Sequence, residues 1–316
     1  MVVSLVTGGA GFIGSHLVED LVHRGREVIV IDDFSNGNIG NLSSVASKIR
    51  VVKHDVSKSY VSHPELGSAD ELYNLACHPR QISLANPRRD CEVNLIGTIN
   101  ALEFALKTGA KVLFTSNTGI VSNPLTLPVN ENSPPNPLTP YDTHKLASEH
   151  LLKVFSEVYS IRTVTVRFAS IYGPRQRVNE KLGWRPVIPE FATKLLSERA
   201  PTIDGDGSQT RDFLYVKDAV DGVARAMEST HPEANKGGVF ILGTNTETSI
   251  MSIYSTLCSL TGRKVDPKFG PRKPEEIARM KYDYSKARSA FGFEPKTSLS
   301  KGLEETIRFL RTESNM

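Results

Sequence analysis

Residues 1–33 constrain this chain more than any other stretch. Val2-Val3-Ser4-Leu5-Val6 is a short apolar run rich in β-branched side chains, the pattern of a buried strand. It enters Thr7-Gly8-Gly9-Ala10-Gly11-Phe12-Ile13-Gly14. Ser15 to Arg24 then places Leu17, Val18, Leu21 and Val22 on one helical face before Gly25. A second strand, Glu27 to Ile31, ends on Asp32 and Asp33. Strand, glycine turn, helix, strand and acid follow the order that a dinucleotide site requires. Glycine lets the backbone approach a pyrophosphate, whose charge rests on the helix N-terminus. Gly8, Gly11 and Gly14, with Phe12 and Ile13, are expected to form that cradle. Asp32, roughly 20 residues further on, is placed to accept from both hydroxyls of an adenosine ribose. Its charge would repel a 2′-phosphate, and no Arg or Lys lies between Asp32 and Asn41 to bind one. The pattern specifies NAD rather than NADP.

The rest of the first half repeats the alternation of strand and helix. Phe34 to Leu42, rich in Asn, Gly and Ser, reads as a loop over the ribose, with Asp33, Ser35, Asn36 and Gly37 as cofactor contacts. Ile49 to Lys53 is a third strand, followed by Asp55 and Val56, and Glu71 to Ala76 is a fourth, closing on Leu75 and Ala76. Asn86 to Lys107 reads as one long helix. Lys111 to Thr115 is the fifth strand, leading to Ser116, and Arg162 to Phe168 the sixth. Open parallel sheets bind ligands beyond the carboxyl ends of their strands, so Ser116 joins the expected dinucleotide contacts. Prolines 124, 128, 134, 135, 137 and 140 mark an ordered loop that runs into a helix over Tyr141 to Tyr159. The seventh strand is Val239 to Leu242.

Composition narrows the partners. A formal net charge of +3 with scattered Lys and Arg gives no electrostatic case for nucleic acid. No apolar run approaches the roughly 18 residues of a membrane span. Because the chain opens on a core strand, no signal peptide is expected, and a cytoplasmic enzyme is. Cys77, Cys91 and Cys258 lack metal-ligand spacing; they are expected to be buried free thiols, and no metal site is expected.

Tyr141-Asp142-Thr143-His144-Lys145 sets a phenol and an ammonium at i and i+4, on one helical face. A phenol, with a pKa near 10, is a poor base at neutral pH. An ammonium at roughly 4 Å, with an effective dielectric of about 20, would stabilise its phenolate by about 4 kcal/mol. Tyr141 is then suited to remove a carbinol proton while hydride leaves for NAD, with Lys145 also on the nicotinamide ribose.

Thr7-Gly8-Gly9-Ala10-Gly11-Phe12-Ile13-Gly14 and this Tyr-x-x-x-Lys resemble the extended short-chain dehydrogenase/reductase family over nearly the whole chain. The resemblance implies a Rossmann-type α/β fold, a doubly wound parallel sheet of about seven strands, with a smaller α/β substrate domain. Residues 1–167 plus 213–244 would bind NAD, and 168–212 plus 245–316 a nucleotide sugar. It implies an adenine contact at Asp55 and a role for Asn94 in tying its helix to the active-site strand. Asp204 to Asp218 resembles the segment shared by nucleotide-sugar epimerases, dehydratases and decarboxylases, in which an arginine, here Arg211, binds the diphosphate. Arg167 to Arg175 resembles the exit of strand six beside nicotinamide and sugar, which implies a cofactor contact at Phe168, with Ser170 where Asn is common. Pro271-Arg272-Lys273-Pro274 resembles a basic element near the phosphates, with Arg272 and Lys273 as competing contacts.

The pattern breaks after strand five. Where the family has a catalytic Ser or Thr, this chain has Asn117, flanked by Ser116 and Thr118. Asparagine can donate to a ketone oxygen but cannot relay a proton. Either Thr118 takes over or Tyr141 works alone. Dehydratases and decarboxylases in the family place an acid just after this position, whereas here Thr118 and Gly119 follow. The resemblance therefore implies a UDP-hexose 4-epimerase of the UDP-glucose/UDP-galactose type. Ser170 and Gly183-Trp184 resemble the CDP-tyvelose 2-epimerase branch, the nearest rival; another nucleotide-sugar 4,6-dehydratase or decarboxylase is a further alternative, and a non-catalytic NAD-binding sensor is the non-enzyme alternative. A homodimer through helices 86–107 and 141–159 is expected, using Leu95, Phe104, Leu151, Leu152, Phe155 and Val158.

Overall fold

The computed structural model describes residues 1–272 and 277–314. Strand β1 (Val3–Thr7), helix α1 (Phe12–His23) and strand β2 (Glu27–Asp32) form the opening unit, and β3 (Ile49–Lys53) lies outside β2. Between β2 and β3, residues Ile39–Lys48 coil as 3-10 helix, although the loop pattern extends to Leu42. Asn38 starts this coil by accepting from the Gly40 amide, and burial of Leu42 and Val45 holds it. Strand β4 (Glu71–Asn74) pairs with the free edge of β1. It stops short of Leu75 and Ala76, whose amides both reach the Thr7 hydroxyl.

The pattern predicts one helix over Asn86–Lys107, but the structure winds it in parts. After the single turn α2 (Arg80–Ser83) come α3 (Pro87–Asp90), a π-helical turn over Cys91–Ile96, and α4 (Gly97–Thr108). The carbonyl of Asn94, inside the π turn, accepts from the Ser148 and Thr98 hydroxyls at 3.0 and 2.8 Å. Those two bonds compete with the α-helical ladder at one point. Strand β5 (Lys111–Asn117), helix α5 (Pro140–Tyr159) and strand β6 (Thr163–Phe168) follow. The buried Arg167–Glu149 fork, at 2.9 and 2.7 Å, fixes α5 against β6.

Further on come β7 (Ser170–Tyr172), α6 (Val187–Leu196), β8 (Thr202–Asp204), β9 (Thr210–Arg211), β10 (Phe213–Tyr215) and α7 (Val216–Glu228). Strand β11 (Gly238–Leu242) is the seventh strand of the main sheet, in the order β11-β6-β5-β4-β1-β2-β3, all parallel. The chain ends with β12 (Thr248–Ser249), α8 (Ile250–Thr261), β13 (Lys268–Gly270), α9 (Ser285–Phe291) and α10 (Leu299–Ser314).

Apolar cores cover both sheet faces, one including Leu17, Leu21 and Val223, the other Leu102, Phe104 and Leu152. A third core, including Tyr172, Phe191, Ile203, Ile253, Leu257 and Ile307, lies apart from the sheet. Both the third core and the sheet core draw side chains from either side of 212/213 and 244/245. Phe213 and Tyr215 pack in the third core, whereas Ile277, Met280, Tyr282 and Phe293 return to the sheet. They return because Val129 donates to Lys281 O and accepts from the Asp283 amide, both at 2.8 Å. Two residues of the expected dimer face are also buried: Phe104 packs on Tyr60, and Leu152 lies inside the same core. All three cysteines are free, but Cys77 is exposed and the other two are partly so. No described helix is long and apolar enough to cross a membrane.

Candidate active site

The expected cofactor residues meet along the carboxyl edge of the sheet. Gly8 has φ +70°, and its amide donates to Ile31 O at 2.8 Å. A Cβ on Gly14 would lie 2.1 Å from Gly8 O, so the turn closes only with glycine there. Gly11 precedes Phe12 and Ile13, which begin α1 and leave its first amides facing out of the turn. Asp32 accepts from the Ala10 and Phe34 amides, each at 2.9 Å, which fixes its carboxylate at the end of β2. Burial raises its pKa above the usual carboxylate range, against those two bonds. A Cβ on Gly37 would lie 2.7 Å from that carboxylate, so the Asp33–Gly37 loop passes tightly over it. Asp33 accepts from the Ser35 amide and hydroxyl, and Asn36 accepts from the Asn179 side chain at 2.9 Å. Asp55 and Val56 leave β3, Leu75 and Ala76 leave β4, and Phe168 ends β6. This cradle fits a dinucleotide: a turn closed to any Cβ, outward amides, and a fixed acid one strand away.

Helix α5 is started by Thr139, whose hydroxyl accepts from the Asp142 amide, with Pro140 in its first turn. The helix presents Tyr141 and Lys145 on one face, as expected. The Lys145 side chain is buried; its Nζ donates to Thr115 O at 2.9 Å and lies 5.6 Å from the Tyr141 ring centre. The expected lowering of the phenol is not found. Burial pushes Tyr141 well above its ordinary value, and Cys77, Asp142 and Asp90 add to the rise. Burial likewise lowers Lys145, against the pull of Cys77, Asp90 and Glu149. Desolvation at this depth outweighs the attraction that spacing alone suggests.

At the exit of β5, Ser116 Oγ and Asn117 Nδ2 are buried without a hydrogen-bond partner among the described residues. The Thr118 hydroxyl donates to Phe168 O at 2.9 Å, so its proton is already committed. Beside them stands an acid that the sequence does not advertise. Asp142, fully buried, accepts from Arg80 Nε with both oxygens at 3.0 Å and from the Thr139 hydroxyl at 2.7 Å. A Cβ on Gly119 would lie 3.0 Å from its Oδ1 and 2.6 Å from Asn117 Oδ1. Tyr282 brings its buried hydroxyl beside Thr118, with Arg211 and Arg80 close enough to act on it. Nothing local in the sequence marks Tyr282, which arrives through the distant Val129 bridge.

Asn94 joins its helix to the loop after β4 rather than to β5. Its side chain accepts from the His78 amide at 3.2 Å and donates to His78 O and to Asp90 Oδ1, at 3.1 and 2.8 Å. Asp90 also meets His144 Nδ1 at 2.6 Å. Ser170 opens β7, with its amide on Asp212 O at 2.9 Å. Arg211 donates to Thr210 O and Ile277 O, at 2.7 and 2.6 Å. Arg272 lies beside Gly205, 3.3 Å from Asp206, and Lys273 falls outside the described residues.

Fold and site together define a short-chain dehydrogenase/reductase of the extended type. Residues 5–306 match the family model described as GDP-mannose 4,6 dehydratase, and the chain belongs to that family. It is 34% identical to the UDP-glucose 4-epimerase of Mycolicibacterium smegmatis, over 98% of this chain and 99% of that one. A UDP-glucose 4-epimerase from Thermotoga maritima, solved with UDP-glucose, superposes with a TM-score of 0.92 at 32% identity, covering 99% and 100% of the two chains. The UDP-glucuronic acid 4-epimerase of Bacillus cereus, solved with UDP-glucuronic acid and NAD, gives 0.91 at 30% identity over 99% and 100%.

Proposed function

We propose that this chain is an NAD-dependent nucleotide-sugar epimerase that inverts C4 of a UDP-hexose. The observation that carries this is the exit of β5. Neither Thr118 nor Gly119, which follow Asn117, carries a carboxyl, and Asp142, which comes up beside Gly119, is fully buried and held by Arg80 and Thr139. A 4-ketose there has no acid to protonate a leaving hydroxyl, so its open course is reduction back to the alcohol.

In this reading the Gly8–Gly14 turn takes the pyrophosphate and Asp32 the adenosine ribose. Bound NAD+ would supply the hydride acceptor and a positive charge favouring Tyr141 phenolate. Tyr141 removes the 4-hydroxyl proton and later returns it. Asn117 Nδ2, without a partner among the described residues, donates to the 4-oxygen without exchanging its proton. Thr118 is a poor substitute because its hydroxyl is spent on Phe168 O. Lys145 stands beside the phenol, and Arg211 holds the diphosphate while the ketose turns. Proton NMR of UDP-glucose and UDP-galactose incubations tests the proposal: each should yield the other. A 4-keto-6-deoxy product, a pentose, or inversion at C2 of a CDP-sugar would each replace it. A protein that binds NAD and turns over none of these would be a sensor.

A further inference from the structure

Arg89, from α3, reaches into the end of the cradle that lies over β2 and β3. Its Nη2 stands 2.9 Å from Asp55 Oδ2 and 3.5 Å from Asp33 Oδ2, and its Nη1 3.1 Å from Ser57 Oγ and 3.4 Å from Glu92 Oε2. Three carboxylates thus converge on one guanidinium. The Ser57 amide holds Asp55 Oδ1 at 3.0 Å, so both oxygens of Asp55 are fixed. Burial acts to raise the Asp55 carboxyl, but Ser57 and Arg89 outweigh it and bring it below the usual range. Strand order places Asp55 along the cofactor. The glycine turn leaves β1, Asp32 ends β2, and β3 is the next strand outward. A dinucleotide with its pyrophosphate on the turn and its ribose on Asp32 therefore carries its base over the end of β3.

We propose that Arg89 is a positioning residue for base selectivity: it orients the Asp55 carboxylate to accept from the 6-amino group of adenine. The inference rests on the NAD reading above. Asp33, Asp55 and Glu92 repel one another, and without a cation between them Asp55 would swing toward solvent. A fixed carboxylate favours an amino group and opposes a base with a carbonyl oxygen at the same position. Partly exposed ion pairs of this kind add little to stability, about 0–1 kcal/mol, so the main effect of Arg89 falls on binding.

Calorimetric dissociation constants for NAD and its hypoxanthine analogue test this without any turnover. The wild type should prefer NAD by about 30-fold, the worth of one hydrogen bond to a charged acceptor. Arg89→Met should lower that preference below about threefold with the melting temperature nearly unchanged. Arg89→Lys, which keeps the charge but loses the fork, should fall between the two. Asp55→Asn should abolish the preference, and adding Arg89→Met to it should change nothing further. A full preference in Arg89→Met or Arg89→Lys overturns the inference. So does comparable NADP and NAD affinity in the wild type with NADP binding lost in Arg89→Met, which would make Arg89 a phosphate anchor. A wild type that binds none of these dinucleotides removes the cofactor reading and this inference together.

Discussion

At Tyr141 two influences oppose each other: burial raises the phenol, and the Arg80 guanidinium acts to lower it, with Lys145 Nζ 5.6 Å from the ring centre. If Tyr141 is the proton acceptor, Tyr141→Phe should lower turnover by about 10²-fold or more while leaving UDP-sugar affinity within a few-fold. Near wild-type turnover in that variant would remove the mechanism. Lys145→Met should weaken NAD as well, which separates the two roles in a binding assay. A second residue sets an acid limit on stability. His16 is buried with Nε2 3.0 Å from Pro174 O, and burial lowers its pKa to about 4. The unfolded chain, with histidine near 6.5, binds more protons than the folded one between those values. The folded state is therefore undisturbed by this group above pH 6.5 and loses stability as pH falls from 6.5 toward 4. At pH 5 the loss should be about 2 kcal/mol relative to pH 7.5. His16→Gln should lack that component when urea unfolding is compared at the two pH values, and equal losses in both proteins would assign the sensitivity elsewhere.

Among elements, the π turn over Cys91–Ile96 ties α4 and α5 to the loop after β4, through Asn94 and Ser148. Asn94→Ala would leave the buried Asp90 and the His78 backbone short of partners. A loss of about 3 kcal/mol is expected, seen as a lower denaturant midpoint with an unchanged slope. An unchanged midpoint would show that the loop is held by other contacts. Sequence revealed these elements unevenly. The opening unit and the seven parallel strands were legible because apolar runs, glycine and acid all specify the same geometry. The π turn was not, since a single widened turn leaves the apolar periodicity of Asn86–Lys107 almost intact. Tyr282 and Arg89 were hidden for another reason: each reaches the site only through a tertiary crossing, at Val129 and at Asp55. Asp142 sits beside Tyr141 in the sequence, yet its capture by Arg80 depends on the loop after β4.

For the whole molecule, the outer surfaces of α4 and α5 offer a face on which two copies are expected to pair. Two side chains offered by the sequence pattern, Phe104 and Leu152, are spent inside. Others remain outside: Ile96 is 38% exposed, Leu106 45%, Val154 45%, Val158 67% and Tyr159 53%. Single apolar residues on a surface need no explanation, but these occupy two adjacent helices, with Val154 and Val158 one turn apart. A two-fold axis beside α5 would pair α4 and α5 with their copies and cover the set. The chain should therefore run as a dimer of the 34.7 kDa protomer in light scattering at micromolar concentration. Val154→Glu combined with Val158→Glu should give monomer, because each carboxylate would otherwise be buried without a partner. Both substitutions lie on the exposed face, away from the buried Glu149–Arg167 fork, so the fold should survive them. A monomeric wild type at that concentration, or a double variant that still sediments as a dimer, would take α5 out of the interface.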